Sequence, residues 1–132
     1  MTAVAARPRD VVVRAQRILG DSGKPLRGAR ILVVGVTYKP GVADIRDSPA
    51  VAIIDMLVAQ GADVAYTDPH VDTLHLPAAD PMCHLPQPAD EQWDLIVVHT
   101  IHQGQDHEWL SGQPAVLDTT YRLAEFAGRH VL

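Results

Sequence analysis

The chain has 132 residues, a length that suits a single folded domain. Its 11 Lys and Arg against 16 Asp and Glu give a formal net charge of −5, which argues against nucleic-acid binding but allows a small phosphorylated ligand. No apolar run approaches the ~20 residues that span a bilayer, and the first ten residues lack the apolar core of a signal peptide, so we expect a cytoplasmic protein without membrane contact.

A helix is predicted near the start of the chain. Pro8 suits the first helical turn, Arg9 to Leu19 carry apolar side chains at helical spacing, and Gly20 should end the helix. We therefore expect a leading helix over residues 8–20 and a main domain over residues 30–132.

The next two elements form a strand and a helix joined by a long loop. Ile31 to Val36 is a continuous apolar, β-branched run, typical of a strand covered on both faces in a parallel sheet, and Gly35 marks its end. Ser48 offers an oxygen that can cap a helix, which we expect from Pro49 to Gln60, and Gly61 can adopt the left-handed conformation after it. The loop between them leaves the carboxyl end of the strand, where open α/β sheets bind ligands.

The rest of the chain alternates short apolar runs with polar connections. The predicted elements are a strand from Asp63 to Thr67, an irregular proline-rich stretch from His70 to Ala89, a strand from Asp94 to His99, a short helical turn around Asp106 to Leu110, and a strand from Ala115 to Leu117 that ends at Asp118. This order predicts an α/β fold, a three-layer α/β/α sandwich with a Rossmann-like, mainly parallel sheet.

The first strand–helix loop does not carry the glycine fingerprint of dinucleotide-binding folds. Gly35 is followed by Val36 and Thr37 rather than by a second glycine, so a pyrophosphate could not approach the backbone as closely. The loop instead offers side chains: Thr37 and Tyr38 can hydrogen-bond or stack, and Lys39 is a mobile charge suited to phosphate. Lys39 is equally consistent with an ordinary solvated lysine.

Charged residues continue the loop up to the helix start. Asp44 and Asp47 suit the helix N-terminus, whereas Arg46 is disfavoured there and needs a partner. Arg46 can pair with Asp44 to fix the loop, and the same pair can hold Lys39 in place for a ligand.

An acidic residue also ends the second strand. Dinucleotide-binding domains place such a residue on the adenosine ribose. Without the glycine fingerprint we favour a turn role for Asp68, with its carboxylate accepting backbone N–H groups beside Pro69.

Histidines cluster after the third strand. His99 and His102 have metal-type spacing, and His107 follows, but their position at a strand end does not imply convergence, so we favour a crevice lining over a metal site. Arg122, after the fourth strand, can clamp a phosphate or simply be exposed. The single cysteine, Cys83, has no basic partner or metal-type spacing and is interpreted as a bystander.

Three segments together resemble one known family. They are GVTYKPGVADIRDSPA at Gly35 to Ala50, GADVAYTDPH at Gly61 to His70, and DLIVVHTIHQ at Asp94 to Gln103. These segments are similar to the C-terminal domain of the UDP-glucose/GDP-mannose dehydrogenase family, and the similarity covers nearly the whole chain from Pro8 to Arg122. The combination of YKP with DxRxSP is the specific part.

The resemblance implies a role in holding a UDP-sugar, in enzymes of polysaccharide biosynthesis. Tyr38 and Lys39 match substrate-binding positions of the family, and Thr37, His102 and Arg122 complete our candidate substrate contacts. The residues that match the loop-shaping motif are Asp44, Arg46, Ser48 and Pro49. Many members have an arginine at the position of Thr120, so the last substrate contact differs here, and Arg122 is the nearest arginine.

The resemblance also implies what lies outside this chain. In the family, an N-terminal domain binds NAD, a central segment makes a homodimer, and a catalytic cysteine carries the covalent intermediate. This sequence matches none of those parts, and Cys83 matches no catalytic position. We therefore expect a UDP-sugar-binding module that is inactive alone and binds neither NAD nor a metal.

Two other classes of function remain open. A small NAD-binding or nucleotide-binding protein with a Rossmann-like fold would place Asp68 on the ribose and use His102 as a base. A structural or dimerisation domain would keep the fold and bind no ligand.

Overall fold

A computed structural model describes residues 7–37, 45 and 48–132. The α-helices are α1 (Pro8–Asp21) and α2 (Pro49–Ala59). The strands are β1 (Arg30–Val34), β2 (Asp63–Thr67), β3 (Thr73–Leu74), β4 (Met82–Cys83), β5 (Leu95–Val98), β6 (Val116–Asp118) and β7 (Arg129–His130). Two 3₁₀ helices span Pro88–Asp90 and Glu108–Gly112. No helix within these ranges is long and apolar enough to cross a membrane.

Five strands form one sheet in the order β2-β1-β5-β6-β7. Every neighbouring pair is parallel, with Ile31 opposite both Val64 and Leu95, and Ile96 opposite Val116. The prediction of a Rossmann-like, mainly parallel sheet is confirmed. Because the strands are parallel, their carboxyl ends meet at one edge of the sheet.

The two faces of the sheet are covered differently. Ile31 and Val33 point to one face, where they share a buried apolar core with both α-helices. Leu32 and Val34 point to the other face, where the core is completed by side chains of loops and of the second 3₁₀ helix. They include Trp93, Trp109, Leu110, Leu123 and Phe126. Within the described residues, the second face thus carries no α-helix, since prolines interrupt the connection that precedes β5.

The ends of α2 agree with the prediction from the local sequence, whereas the C-terminal end of α1 does not. The α2 helix begins at Pro49 and ends at Ala59, with Gly61 in the left-handed region at φ +89°, as predicted within one residue. The α1 helix continues through Gly20 to Asp21, so the prediction that Gly20 ends it is wrong. The turn that ends α1 instead uses Gly23, which has φ +75°.

The observed strand boundaries lie within two residues of the predicted ones. The predicted run from Ile31 to Val36 is observed as the strand Arg30–Val34, and the prediction that Gly35 marks the end of this strand is confirmed, because Gly35 turns the chain at φ +78°. The fourth predicted strand, Ala115 to Leu117, is observed one residue later as Val116–Asp118, whereas the β2 bounds are those predicted.

Three short strands, β3, β4 and β7, have no counterpart among the predictions. The stretch expected to be irregular contains an antiparallel pair, in which Thr73 lies opposite Cys83, and the sheet gains a fifth strand, β7. Strands of two residues are too short for an alternation of apolar and polar side chains to be recognised. The predicted helical turn around Asp106 to Leu110 is present as the 3₁₀ helix Glu108–Gly112.

Candidate functional site

Polar residues follow four neighbouring strands at the carboxyl edge of the sheet. Thr37 comes shortly after β1, Asp68 directly after β2, His99 directly after β5, and Asp118 ends β6. All four belong to the edge where open parallel sheets bind their ligands. We call this edge, with the residues that follow the four strands, the strand-end site.

Asp68 is a fully buried carboxylate that joins three segments. One oxygen, Oδ2, accepts a hydrogen bond from the backbone N of Val36 at 2.9 Å and lies 2.9 Å from Nε2 of His102. The other oxygen, Oδ1, accepts from the backbone N of His70 at 2.9 Å. The bond from His70 agrees with the turn role favoured from the sequence. Both oxygens are engaged inside the protein, which argues against a carboxylate free to hold a ribose.

His102 is packed into this network and is 2% exposed. Its Nε2 lies 2.9 Å from Asp68 and 3.4 Å from Oγ1 of Thr37, and its ring contacts that of His70 at a centroid distance of 4.4 Å. The carboxylate of Asp68 accepts the shorter of these bonds, so Nε2 carries a proton. The structure therefore brings Thr37 and His102 together, both buried at the base of the strand-end site.

His84 adds a contact that the sequence did not indicate. Its Nδ1 accepts a hydrogen bond from the backbone N of Asp68 at 2.9 Å. His84 belongs to the stretch that was expected to be irregular, and no local pattern relates it to Asp68. The pairing of β3 with β4 and a hydrogen bond from the backbone N of Leu85 to the carbonyl oxygen of Tyr66 bring it to this edge.

His99 occupies the next strand end and is held as a neutral ring. Burial lowers the pKa of His99 to about 4, and a hydrogen bond with Gly35 and the charge of Asp68 oppose that shift only in part. Its Nδ1 lies 2.8 Å from Oγ1 of Thr100, whose hydroxyl donates to the carbonyl oxygen of Thr37 at 2.9 Å. Because the Thr100 hydroxyl proton already bonds to Thr37, Nδ1 of His99 must donate the hydrogen bond between His99 and Oγ1 of Thr100. At neutral pH His99 offers hydrogen bonds but no positive charge.

Gly35 is required by this arrangement. Its φ of +78° is unfavourable for any residue with a Cβ, and a Cβ there would overlap the carbonyl oxygen of Thr100. The glycine therefore lets β1 approach the chain that leaves β5.

Ser48 closes the other end of the first loop. Its Oγ accepts from the backbone N of Ala50 at 3.3 Å, which confirms the predicted cap with Pro49 as the first residue of α2. The same hydroxyl donates to the carbonyl oxygen of Val36 at 2.8 Å. Asp68 accepts from the backbone N of Val36, so both backbone polar groups of Val36 are hydrogen-bonded. Ser48, which follows the loop, is therefore held beside Val36, which precedes it.

Five loop residues with predicted roles lie outside the described residues: Tyr38, Lys39, Asp44, Arg46 and Asp47. Their expected roles stay predictions. The structure defines the buried residues that flank this loop, Thr37 before it and Ser48 after it.

Asp118 organises the chain after β6. Its carboxylate is fully buried and accepts from the backbone N atoms of Thr120 and Leu123 at 2.9 and 3.0 Å. The guanidinium of Arg129 lies 3.3 Å away. Arg122 is exposed, and its guanidinium makes no hydrogen bond or ion pair with the described part of the chain. The sequence places Asp118 at the end of the fourth predicted strand but indicates no contacts for it and no role for Arg129, although an aspartate followed by two threonines is a common turn signal.

The described histidines and acids do not form a metal cluster. Across residues 7–37, 45 and 48–132, no group of three or more His, Cys, Asp or Glu side chains is placed to hold a metal ion. Cys83 is exposed in β4.

Comparison with known proteins gives a consistent result. A family model described as the UDP-binding domain of the UDP-glucose/GDP-mannose dehydrogenase family matches residues 32–124. A UDP-glucose 6-dehydrogenase of Rickettsia felis (strain ATCC VR-1525 / URRWXCal2) is 30% identical across 91% of this chain, which covers 25% of that protein. One from Rhizobium meliloti (strain 1021) is 37% identical over 52% of this chain and 16% of its own length. The chain thus spans a quarter or less of these curated relatives.

Solved structures show the same fold. A UDP-D-ManNAc dehydrogenase from Pyrococcus horikoshii superposes with a TM-score of 0.72 at 20% identity, covering 94% of this chain and 29% of that one. A UDP-N-acetyl-mannosamine dehydrogenase from Staphylococcus aureus gives a TM-score of 0.64 at 26% identity, with coverage of 94% and 29%.

Proposed function

Because this chain belongs to the UDP-glucose/GDP-mannose dehydrogenase family, as its UDP-binding domain, we propose that the strand-end site holds the UDP part of a nucleotide sugar. The observation that carries the proposal is the fixation of Val36 by both Asp68 and Ser48. This fixation places both ends of the loop over residues 38–47 at the ligand-binding edge of a parallel sheet.

The side chains available there suit a nucleoside diphosphate. Tyr38 supplies an aromatic face and Lys39 a positive charge, and the loop-shaping residues Asp44 and Arg46 would hold them in place. Arg122, exposed beyond β6, supplies a second cation that can reach a phosphate. Neutral His99 can donate or accept hydrogen bonds without adding charge. Thr37 and His102, being buried, would act mainly by positioning the loop.

The wider activity would belong to a longer protein. We propose that this domain works with an N-terminal NAD-binding domain and a central dimerisation segment, in a cytoplasmic homodimeric enzyme that oxidises a UDP-sugar. NAD would be the cofactor of that full-length enzyme, and this domain alone would not turn over substrate. The leading helix, α1, would remain part of the domain, since its apolar side chains share the core of α2.

Calorimetric titration of the 132-residue chain with UDP, UDP-glucose and NAD tests the proposal. We expect weak binding of UDP and UDP-glucose and none of NAD, because the partner domains are absent. Lys39→Ala should weaken UDP binding about tenfold or more, through loss of a charge-assisted hydrogen bond. A matched control is Lys24→Ala, which removes the same charge at a distant position. Lys24 bonds to Asp94 before the amino end of β5, at the edge of the sheet opposite the strand-end site.

The outcome distinguishes the alternatives. Binding of NAD without UDP would overturn the proposal and favour a small dinucleotide-binding protein. Absence of binding to either ligand would favour a structural or dimerisation domain. Equal losses in the Lys39 and Lys24 variants would show that only net charge matters.

A further inference from the structure

Tyr121 has an unusual backbone conformation at the strand-end site. Its φ is +61°, and among the described residues it is the only non-glycine residue with a positive φ. Bulky side chains rarely occupy this left-handed region, which glycine and asparagine tolerate best. Tyr121 is also 56% exposed, so burial of its ring does not compensate for the conformation.

Asp118 imposes this conformation. Its Oδ1 accepts from the backbone N atoms of Thr120 and Tyr121, at 2.9 and 3.2 Å, and from the Thr120 hydroxyl at 2.6 Å. Its Oδ2 accepts from Leu123 at 3.0 Å and from Arg129. A buried carboxylate with this many donors fixes the turn whatever residue occupies position 121. A tyrosine there is therefore a cost to the fold that asparagine or glycine would avoid.

The location of Tyr121 beside the end of β5 indicates a role for its ring in ligand binding. Thr119, two residues earlier, donates both its backbone N and its hydroxyl to the carbonyl oxygen of Val98, at 3.1 and 2.8 Å. This contact fixes the turn beside the end of β5, next to His99. Strained residues that the surrounding structure over-determines cluster at ligand sites. An exposed aromatic ring on a fixed backbone at a ligand-binding edge offers a surface on which a planar base can stack.

We propose that Tyr121 is the stacking platform for the nucleobase of the bound nucleotide. The proposal rests on the proposed function and adds a specific contact to it. It assigns the turn after β6 to the base.

Two substitutions separate the ring from the turn. Tyr121→Asn tolerates φ +61° without an aromatic face, so its melting temperature should rise by about 2–4 °C as the strain is relieved. Its affinity for UDP should fall about tenfold, the range measured for loss of one base–aromatic stack. Tyr121→Phe keeps both ring and strain, and should match the parent chain in melting temperature and in affinity.

A spectroscopic measurement reports on stacking directly. The H5 and H6 resonances of UDP should shift upfield on binding to the parent chain and to Tyr121→Phe, but not to Tyr121→Asn. If UDP binds the parent chain and Tyr121→Asn with equal affinity and equal shifts, this inference is overturned and the proposed function stands. If the parent chain binds no UDP, both are overturned.

Discussion

Asp68 and Asp118 are two buried carboxylates at the same edge of one sheet, and they are satisfied in different ways. Asp118 accepts mainly from its own turn, residues 120–123, and is balanced by Arg129. Asp68 accepts from the chain after β1 and from His102 after β5, more than 30 residues away in each direction. One aspartate builds a local turn, whereas the other joins three strand ends. Two equally buried carboxylates can therefore differ in how many distant chain segments they join.

The largest effect is expected from Asp118→Ala. The substitution leaves the guanidinium of Arg129, whose side chain is 11% exposed, without its buried partner, and it removes the acceptor of several backbone donors. We expect the free energy of unfolding to fall by about 3–5 kcal/mol in denaturant titration. Arg129→Ala should cost less, because the turn donors still bind the carboxylate. An equal loss in both variants would show that the ion pair dominates.

Asp68→Ala should cost less stability but disturb more of the site. Loss of the acceptor for Val36 and His102 should lower the free energy of unfolding by about 2–3 kcal/mol. Amide exchange should accelerate at Val36 and His70. Asp63→Ala, on the exposed first residue of the same strand, is the matched control and should change little. Exchange confined to the β2 end would contradict the role of Asp68 in joining segments.

The third prediction concerns pH and His99. Its folded pKa is about 4, against 6.5 for the unfolded chain, so below pH 6.5 the unfolded state binds more protons than the folded state. The contribution of His99 to unfolding free energy should therefore fall between pH 6.5 and 4, by on the order of 2–3 kcal/mol. His99→Asn keeps a donor toward Thr100 but does not titrate. Its stability should depend less steeply on pH in this window, and parallel curves would contradict the prediction.

The smallest effect is expected at the exposed end of the Asp118 network. Glu125 contacts Arg129 at 3.0 Å, but its side chain is 94% exposed. Glu125→Ala should change the unfolding free energy by no more than about 0.5 kcal/mol, and less at high salt. A loss comparable to that of Asp118→Ala would mean that Glu125, rather than the buried carboxylate, positions the arginine.

The sequence allowed the local part of this architecture to be predicted. Ser48 and Pro49 mark a helix start by their own chemistry, and the turn residues Asp68 and Pro69 mark the end of β2. The turn role of Asp68 could be anticipated because Pro69 follows it. Its bonds to Val36 and His102 could not, since they depend on which strands become neighbours. Tyr121 shows the same limit: its left-handed conformation arises from Asp118 and contradicts the preference of tyrosine itself.

The position of β1 in the sheet has a consequence for how the chain acquires its structure. This strand comes first along the chain but lies between β2 and β5. The pairing of Ile31 with Leu95 can therefore form only after β5 has reached the sheet. Pairings across such sequence distances slow folding, because the entropy of closing the intervening loop is lost before the contacts form. Until β5 arrives, an apolar run with one open edge is available to other chains. Refolding yield should therefore depend on protein concentration more than the stability of the finished domain would suggest.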